Sequence, residues 1–181
     1  MSKKKRTGER VRTLTSLAML AALSAVIGII CKNFLTFNVY YRITFENLPI
    51  ICAGLIFGPF AGAACGVCAD IVSCLCSTNP ALNPLITVGA ALVGLCAGAV
   101  PRFIIKKRCA AQYALAVAGA HLIGQVTVKS IAKIIWFGMP WWATFVGLGI
   151  SVFVGTVEFF IIRYLFDNKI IGVLNGEKHE H

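Results

Sequence analysis

Residues 47–76 form the stretch NLPIICAGLIFGPFAGAACGVCADIVSCLC, in which Asp70 is the one charged side chain. Its length exceeds the roughly 20 residues that a single transmembrane helix needs. Gly58-Pro59 in its middle is a turn signal, because proline breaks or kinks the interior of a helix. The part before this break is short for about 30 Å of hydrocarbon at about 1.5 Å per residue. The stretch therefore predicts either one kinked span or two short helices.

The rest of the chain is also strongly apolar. Of its 181 residues, 58% are hydrophobic and 13% are charged, whereas soluble domains average about 45–50% and about 25%. A compact soluble fold with so few charges would expose large apolar patches, which soluble monomers rarely tolerate. We therefore predict an all-α integral membrane protein. Further candidate spans lie at 13–31, 85–104, 110–135 and 142–165.

The position of the basic residues indicates how often the chain crosses the membrane. The net charge of +10 is concentrated in three patches, at 3–12, 102–108 and 163–178. If 47–76 crosses twice, all three patches lie on one side; if it crosses once, the last two lie outside. Because lysine and arginine are retained in the cytoplasm, we predict six transmembrane helices with both termini cytoplasmic. The chain 1–181 is then a single membrane domain, with a bundle at 13–166 and tails at 1–12 and 167–181.

Catalytic and nucleotide-binding patterns are missing from the sequence. It contains no G-x-x-x-x-G-K-[ST], no H-E-x-x-H and no G-x-S-x-G. Cys65 and Cys68 have the C-x-x-C spacing, but no histidine or second spaced pair accompanies them, so we expect packing and not a metal site. We therefore predict a binding or transport protein without cofactor or metal. Energy for active transport would come from an ion gradient or from another subunit.

The fifth candidate span carries four polar residues spaced by four, which would share one helix face. They are His121, Gln125, Lys129 and Lys133. Two ammonium groups one turn apart repel each other unless an anion lies near them. Asp70 or Glu46 could supply that anion as an internal ion pair, and a bound anionic ligand could supply it equally well. On the last span, Glu158 has Arg163 as a near neighbour, and we expect a structural pair there.

Further polar groups lie toward the predicted outer side. The connection 32–44 is long enough to form a lid, and its Tyr41 and Arg42 suit a planar ligand as well as an interfacial aromatic belt. Asn47 and Asn83 lie near the outer mouths of helices, where their amides could bind a heteroaromatic edge. Turn chemistry before a proline explains Asn83 equally well.

Small residues spaced by four on the first span let another helix approach closely in lipid. The pairs are Ala18 with Ala22, and Ala21 with Ala25. Gly62 with Gly66 and Gly94 with Gly98 repeat this spacing on the third and fourth helices. Packing within the chain is the commoner use of such a motif, and a partner subunit's helix is the alternative.

Several segments together resemble a known family. They are Arg42-Ile43-Thr44-Phe45-Glu46-Asn47-Leu48-Pro49-Ile50, Phe57-Gly58-Pro59, Gly62, Gly66, Asp70, Pro84, Thr87 and the glycine-containing run 89–98. From about residue 12 to 166 the chain is similar to the substrate-binding S component of energy-coupling factor (ECF) transporters, in particular to the folate family.

The resemblance implies a receptor in a prokaryotic plasma membrane that captures folate or a related pterin from outside. Such a receptor delivers its ligand together with a transmembrane scaffold (T) subunit and two cytoplasmic ATPases. The alanine motif of the first helix, which faces the scaffold in that family, corresponds to Ala18, Ala21, Ala22 and Ala25.

We predict a substrate site in which basic groups attract carboxylates and the other polar groups contact the ring. Its residues are Arg42, Lys129, Lys133, Asn47, Asp70, Asn83, Gln125 and Tyr41. Two other hypotheses stay open. One is an S component for a different vitamin. The other is a stand-alone, ion-coupled carrier of a small organic anion, in which the stripe of the fifth span faces Asp70 as a proton path.

Overall fold

The computed structural model describes residues 3–34, 43–76, 83–106 and 109–168. Within these ranges the chain forms six helices and no strand. Helices α1, α2 and α3 span Lys3–Phe34, Asn47–Phe57 and Pro59–Leu75. Helix α4 spans Pro84–Ala99 and continues into the π-helical turn Val100–Ile104. Helix α5 consists of Ala110–Gly119, the π-helical segment Ala120–Val128 and Lys129–Phe137, and α6 spans Ala143–Asp167.

This architecture confirms the predicted all-α class. Four stretches are long and apolar enough to cross a membrane, namely Arg10–Phe34, Pro84–Ile104, Ala110–Trp136 and Ala143–Asp167. Helices α2 and α3 are apolar but shorter, with 11 and 17 residues. At about 1.5 Å per residue they extend roughly 16 and 25 Å, which is less than the hydrocarbon thickness of about 30 Å.

The break between α2 and α3 lies at the predicted Gly58-Pro59 step. Gly58 has φ +94°, a left-handed conformation that costs glycine little because it has no Cβ. Its N–H still donates to the Gly54 carbonyl oxygen at 2.9 Å, which closes α2. Pro59 then occupies the first turn of α3, where its missing N–H is not needed. The sequence stretch therefore folds as two helices and not as one kinked helix.

Close backbone contacts hold α2, α3 and α4 together. A side chain at Gly94 of α4 would collide with the backbone of Gly62 on α3, and a Cβ at Gly54 of α2 would lie 2.6 Å from the Gly94 carbonyl oxygen. Such small residues let helices pack closely in lipid, where the hydrophobic effect does not drive helices together. Helix α2 is largely enclosed by its neighbours, and its Ile51 and Ala53 are completely buried in the core.

The outer faces of the bundle are apolar. Met19 and Leu23 of α1, and Phe153 and Phe160 of α6, each expose half or more of their surface. Contiguous exposed apolar surface on helices of this length suits contact with lipid chains. The arrangement therefore agrees with a bundle whose polar groups are turned inward.

The middle of α5 departs from α-helical geometry. In a π-helix the backbone bonds run from residue i to i+5, so each residue turns through a smaller angle than in an α-helix. Thr127 Oγ1 follows the same spacing and donates to the Leu122 carbonyl oxygen at 2.7 Å. Four residues make slightly less than one π-helical turn and slightly more than one α-helical turn, so residues four apart stay near one face. His121, Gln125 and Lys133 of the expected stripe line one cavity.

Candidate functional site

The four polar residues of the expected stripe reach different neighbours. Lys129 contacts Glu46, which precedes α2, whereas His121 contacts Glu158 on α6. Gln125 Nε2 donates to Thr44 Oγ1 at 3.3 Å. Helix α5 thus connects the start of α2 with α6, and its polar groups surround the space between them.

A buried ion pair joins α5 to the residue before α2. Lys129 Nζ lies 3.3 Å from Glu46 Oε1, and both side chains are buried. Two glycines leave room for the pair. A Cβ at Gly89 of α4 would lie 2.8 Å from Lys129 Cγ, and one at Gly28 of α1 would lie 3.0 Å from a Glu46 carboxylate oxygen. Of the two acids that the sequence offered, Glu46 is the partner of Lys129, and together they carry no net charge.

Asp70 ties α3 to α4. Thr87 Oγ1 donates to Asp70 Oδ2 at 2.8 Å, and the Asp70 side chain is buried. On the next turn of α3, Ser73 Oγ accepts a hydrogen bond of 2.7 Å from Lys32 Nζ of α1. A small cavity of about 10 Å³ has both Asp70 and Glu46 in its wall. The acid therefore belongs to a hydroxyl network beside the ion pair.

Three side-chain amides have buried polar atoms for which the described residues offer no partner. Asn47 is completely buried, and neither its Oδ1 nor its Nδ2 has a hydrogen-bond partner among the described residues. Asn83 caps α4, since its Oδ1 accepts from the Leu85 N–H at 3.0 Å, but its Nδ2 is left over, as is Gln125 Oε1. An unpaired buried polar group costs about 1–3 kcal/mol. Water or a ligand commonly satisfies such atoms in native sites.

A polar cavity of about 40 Å³ lies between α5, α6 and the segment before α2. Gln125 and Lys133 line it from α5, Thr44 from the segment before α2, and Ser151 from α6. Its volume corresponds to a few water-sized probes. The cavity thus brings two of the predicted substrate residues together.

A second buried pair lies at the α5–α6 interface. His121 Nε2 lies 2.7 Å from Glu158 Oε2, and Glu158 is completely buried. The expected pair of Glu158 with Arg163 is wrong, because residues five apart on an α-helix point in different directions. Arg163 instead donates from Nε to Asp167 Oδ2, one turn further along, at 3.4 Å.

The remaining predicted residues fall into two groups. On α1, Ala18 and Ala22 are exposed, whereas Ala21 packs against the hydrophobic core and Ala25 is buried. The helix motif therefore serves packing within the chain on one side and leaves the other side accessible. The two residues of the first connection, Tyr41 and Arg42, lie outside the described residues.

All eight cysteines lie in the described ranges, and none of them forms a disulfide. Of the C-x-x-C pair, Cys65 is buried and Cys68 is exposed, so the two thiols do not face one space. Across the part of the chain that the structure describes, no group of three or more His, Cys, Asp or Glu side chains could hold a metal ion.

Sequence reasoning missed the hydroxyl groups that complete these contacts. Thr44 and Thr87 hold Gln125 and Asp70, and nothing in their spacing marks them among the other hydroxyl residues of apolar helices. Glu158 did carry a signal, since an ionisable residue within a span is by default a functional or paired group.

Comparisons with known proteins agree with this architecture. The family model described as "ECF transporter, substrate-specific component" matches residues 12–173. The crystal structure of FolT bound with folic acid superimposes with a TM-score of 0.67, covering 85% of this chain and 93% of that chain at 24% sequence identity. At that identity the likeness establishes the fold. No curated protein matches the chain at a significant level.

Proposed function

Because the chain belongs to the family of ECF transporter substrate-specific components, we propose that it binds folate or a related pterin from outside the cell. It passes this ligand inward together with a scaffold subunit and two cytoplasmic ATPases, since the sequence holds no nucleotide-binding motif of its own. It acts as a transport subunit and not as an enzyme.

The observation that carries the choice of ligand is the likeness to FolT bound with folic acid, which extends over 85% of the chain. The chemistry of the described site supports the same choice. Folate combines a flat pterin, whose edge carries hydrogen-bond donors and acceptors, with a glutamate that carries two carboxylates. Unpaired amide atoms at Asn47, Asn83 and Gln125 suit the first part, and Lys133 at the polar cavity suits the second.

The predicted residues have different roles in this proposal. Glu46 balances Lys129. We assign the attraction for the carboxylates mainly to Arg42 and to Lys133, which lines the polar cavity. Lys129 contributes by fixing α5 against the start of α2. Asn47, Asn83 and Gln125 bind the ring edge, Asp70 supports them through α3 and α4, and Tyr41 covers the ring.

The membrane arrangement is part of the proposal. Six crossings put both termini and the three basic patches in the cytoplasm of a prokaryotic cell. The short helices α2 and α3 then cross where the bilayer is thinned or where neighbouring elements shield them. The exposed alanines Ala18 and Ala22 of α1 offer a face for the scaffold subunit.

Titration of the purified chain with folic acid tests the proposal. We expect one-to-one binding, and Lys133→Met should weaken it by tenfold or more, because a charge-assisted hydrogen bond contributes about 1.5–3 kcal/mol. Lys106→Met is the matched control, since Lys106 is exposed beyond the end of α4. Isothermal titration calorimetry gives affinity and stoichiometry together.

The outcomes separate the hypotheses. Absence of folate binding by the wild-type chain, with tight binding of another vitamin, would identify a different S component. Uptake into vesicles that contain this chain alone, without ATP, would support the ion-coupled carrier. Equal affinities of Lys133→Met and Lys106→Met would remove Lys133 from the site.

A further inference from the structure

His121 lies where the polar cavity meets the α5–α6 interface. Its Nε2 lies 2.7 Å from Glu158 Oε2, and the residue lines the same cavity as Gln125 and Lys133. His121 is 5% exposed, and its second ring nitrogen, Nδ1, has no hydrogen-bond partner among the described residues. A buried polar atom of this kind destabilises the site until something pairs with it.

Counting protons gives the chemical character of Nδ1. In a low-dielectric interior, the net-neutral state of a histidine–glutamate pair is favoured over the state with charge −1. The neutral pair holds two protons. One lies between Nε2 and Oε2, and the other is on Nδ1, whichever atom holds the shared proton. The neighbouring pair of Lys129 and Glu46 is also net neutral. Nδ1 is therefore a hydrogen-bond donor.

Gln125 adds the complementary group. It lies one turn along α5 and lines the same cavity, and its Nε2 is engaged by Thr44. Its Oε1 is an acceptor that none of the described residues pairs. His121 and Gln125, which line one cavity, thus offer a donor and an acceptor. Such a pair matches a lactam edge, in which a carbonyl oxygen accepts and the adjacent ring N–H donates. The volume of about 40 Å³ admits the edge of a ring and not a whole ligand.

We propose that His121 Nδ1–H donates to the carbonyl oxygen of the ligand's lactam edge, that Gln125 Oε1 accepts the adjacent N–H, and that Glu158 is a positioning residue that keeps the proton on Nδ1. The inference rests on the proposed function, because it names the atoms that bind the pterin ring. Lys133 lines the same cavity, and the carboxylates of the ligand extend toward it.

Two substitutions of one residue separate ligand contact from structural support. His121→Gln puts its amide near the former Nε2, where it keeps the bond to Glu158 but removes the donor at Nδ1. His121→Asn puts an amide nitrogen near the former Nδ1 and loses the bond to Glu158. We expect the Gln variant to bind folic acid about tenfold more weakly than wild type. The Asn variant should bind more tightly than the Gln variant although it unfolds at a lower temperature.

The opposite order of affinities, with the Gln variant near wild type and the Asn variant weak, would mean that His121 acts only through packing. That outcome overturns the inference but leaves folate binding intact. Failure of the wild-type chain to bind folic acid would overturn the proposed function and the inference together. Calorimetry gives the affinities, and thermal unfolding in the same detergent gives the stabilities.

A ligand in which donors and acceptors are exchanged at the lactam edge tests the same contact by changing the ligand instead of the protein. In the 4-amino analogue of folic acid, an amino group replaces the carbonyl oxygen, so donors and acceptors exchange at this edge. His121→Gln should weaken folic acid binding by about tenfold but change the binding of the analogue by less than threefold. Equal losses for the two ligands would show that His121 does not contact this edge.

The role of Glu158 is tested by a conservative rescue. In Glu158→Gln the amide N–H can still donate to Nε2, which keeps the proton on Nδ1, and most of the folate affinity should remain. Glu158→Leu leaves Nε2 without a partner and should lower the affinity by about tenfold. If Glu158→Gln binds no better than Glu158→Leu, the positioning role is wrong.

Discussion

At the scale of single residues, buried charges in the described part of the chain are matched across helices. Glu46 pairs with Lys129 and His121 pairs with Glu158, while Asp70 is held by Thr87. In a protein interior an unmatched charge costs several kcal/mol, so each partner stabilises chiefly by preventing that penalty. The same argument explains why Lys129 alone does not provide an excess positive charge for a ligand.

Removing one member of the Glu46–Lys129 pair should destabilise the protein more than removing both. We expect Lys129→Met to lower the free energy of unfolding by about 3–5 kcal/mol, because it removes the ammonium group that balances the buried Glu46 carboxylate. The double variant Lys129→Met/Glu46→Gln should recover most of that loss. Unfolding in mixed micelles measures the difference, with the exposed Lys106→Met as control. Equal stabilities of the single and double variants would contradict the pairing.

At the scale of elements, α1 has two different sides. Ala25 is buried and Ala21 packs against the core, whereas Ala18 and Ala22 stay exposed. The contacts of α2, α3 and α4 use glycines in the same way, but there both surfaces belong to this chain. The exposed small side of α1 is therefore where we propose that a partner helix packs.

A bulky residue on the exposed side of α1 should block assembly and spare ligand binding. We expect Ala22→Phe to reduce folate uptake by at least tenfold in cells that also produce the scaffold and ATPase subunits, because overpacking an interface costs about 1–3 kcal/mol. Folate affinity of the isolated chain should not change. Leu23→Phe is the matched control on a neighbouring exposed face. Normal uptake by Ala22→Phe would exclude this face from the interface.

At the scale of the whole molecule, the number of crossings decides which end of each helix meets the outside. The question rests on α2 and α3, which together are too long for one span and singly are short for two. Two exposed cysteines report on it, since Cys76 follows α3 and Cys109 precedes α5. Six crossings place Cys76 outside and Cys109 in the cytoplasm, whereas five crossings exchange them.

Labelling of intact cells with a membrane-impermeant maleimide should therefore modify Cys76 at once and Cys109 only after permeabilisation. The variants Cys76→Ser and Cys109→Ser assign each signal to its residue. Both thiols are exposed in the structure, so burial does not bias the comparison. Labelling of Cys109 from outside would contradict the six-span arrangement and the outward orientation of the proposed site.

Much of the fold follows from local properties of the sequence. The apolar composition predicts helices in a membrane, and Gly58-Pro59 predicts the end of α2, because glycine and proline act on the backbone at their own position. The structure confirms the all-helical class and the end of α2 at Gly58. The separate observation that small residues recur every fourth position predicted close helix contacts, which the glycines of α3 and α4 make.

The residue types of the candidate site are also visible in the sequence, since ionisable and amide groups are conspicuous in apolar helices. Their partners are not. Spacing by four placed His121 and Lys129 on one face, but in the structure His121 meets Glu158 of α6 and Lys129 meets Glu46 before α2. Pairing depends on how each helix is rotated and how closely it approaches its neighbours. Only the tertiary structure determines these, because they result from contacts between residues far apart in the chain.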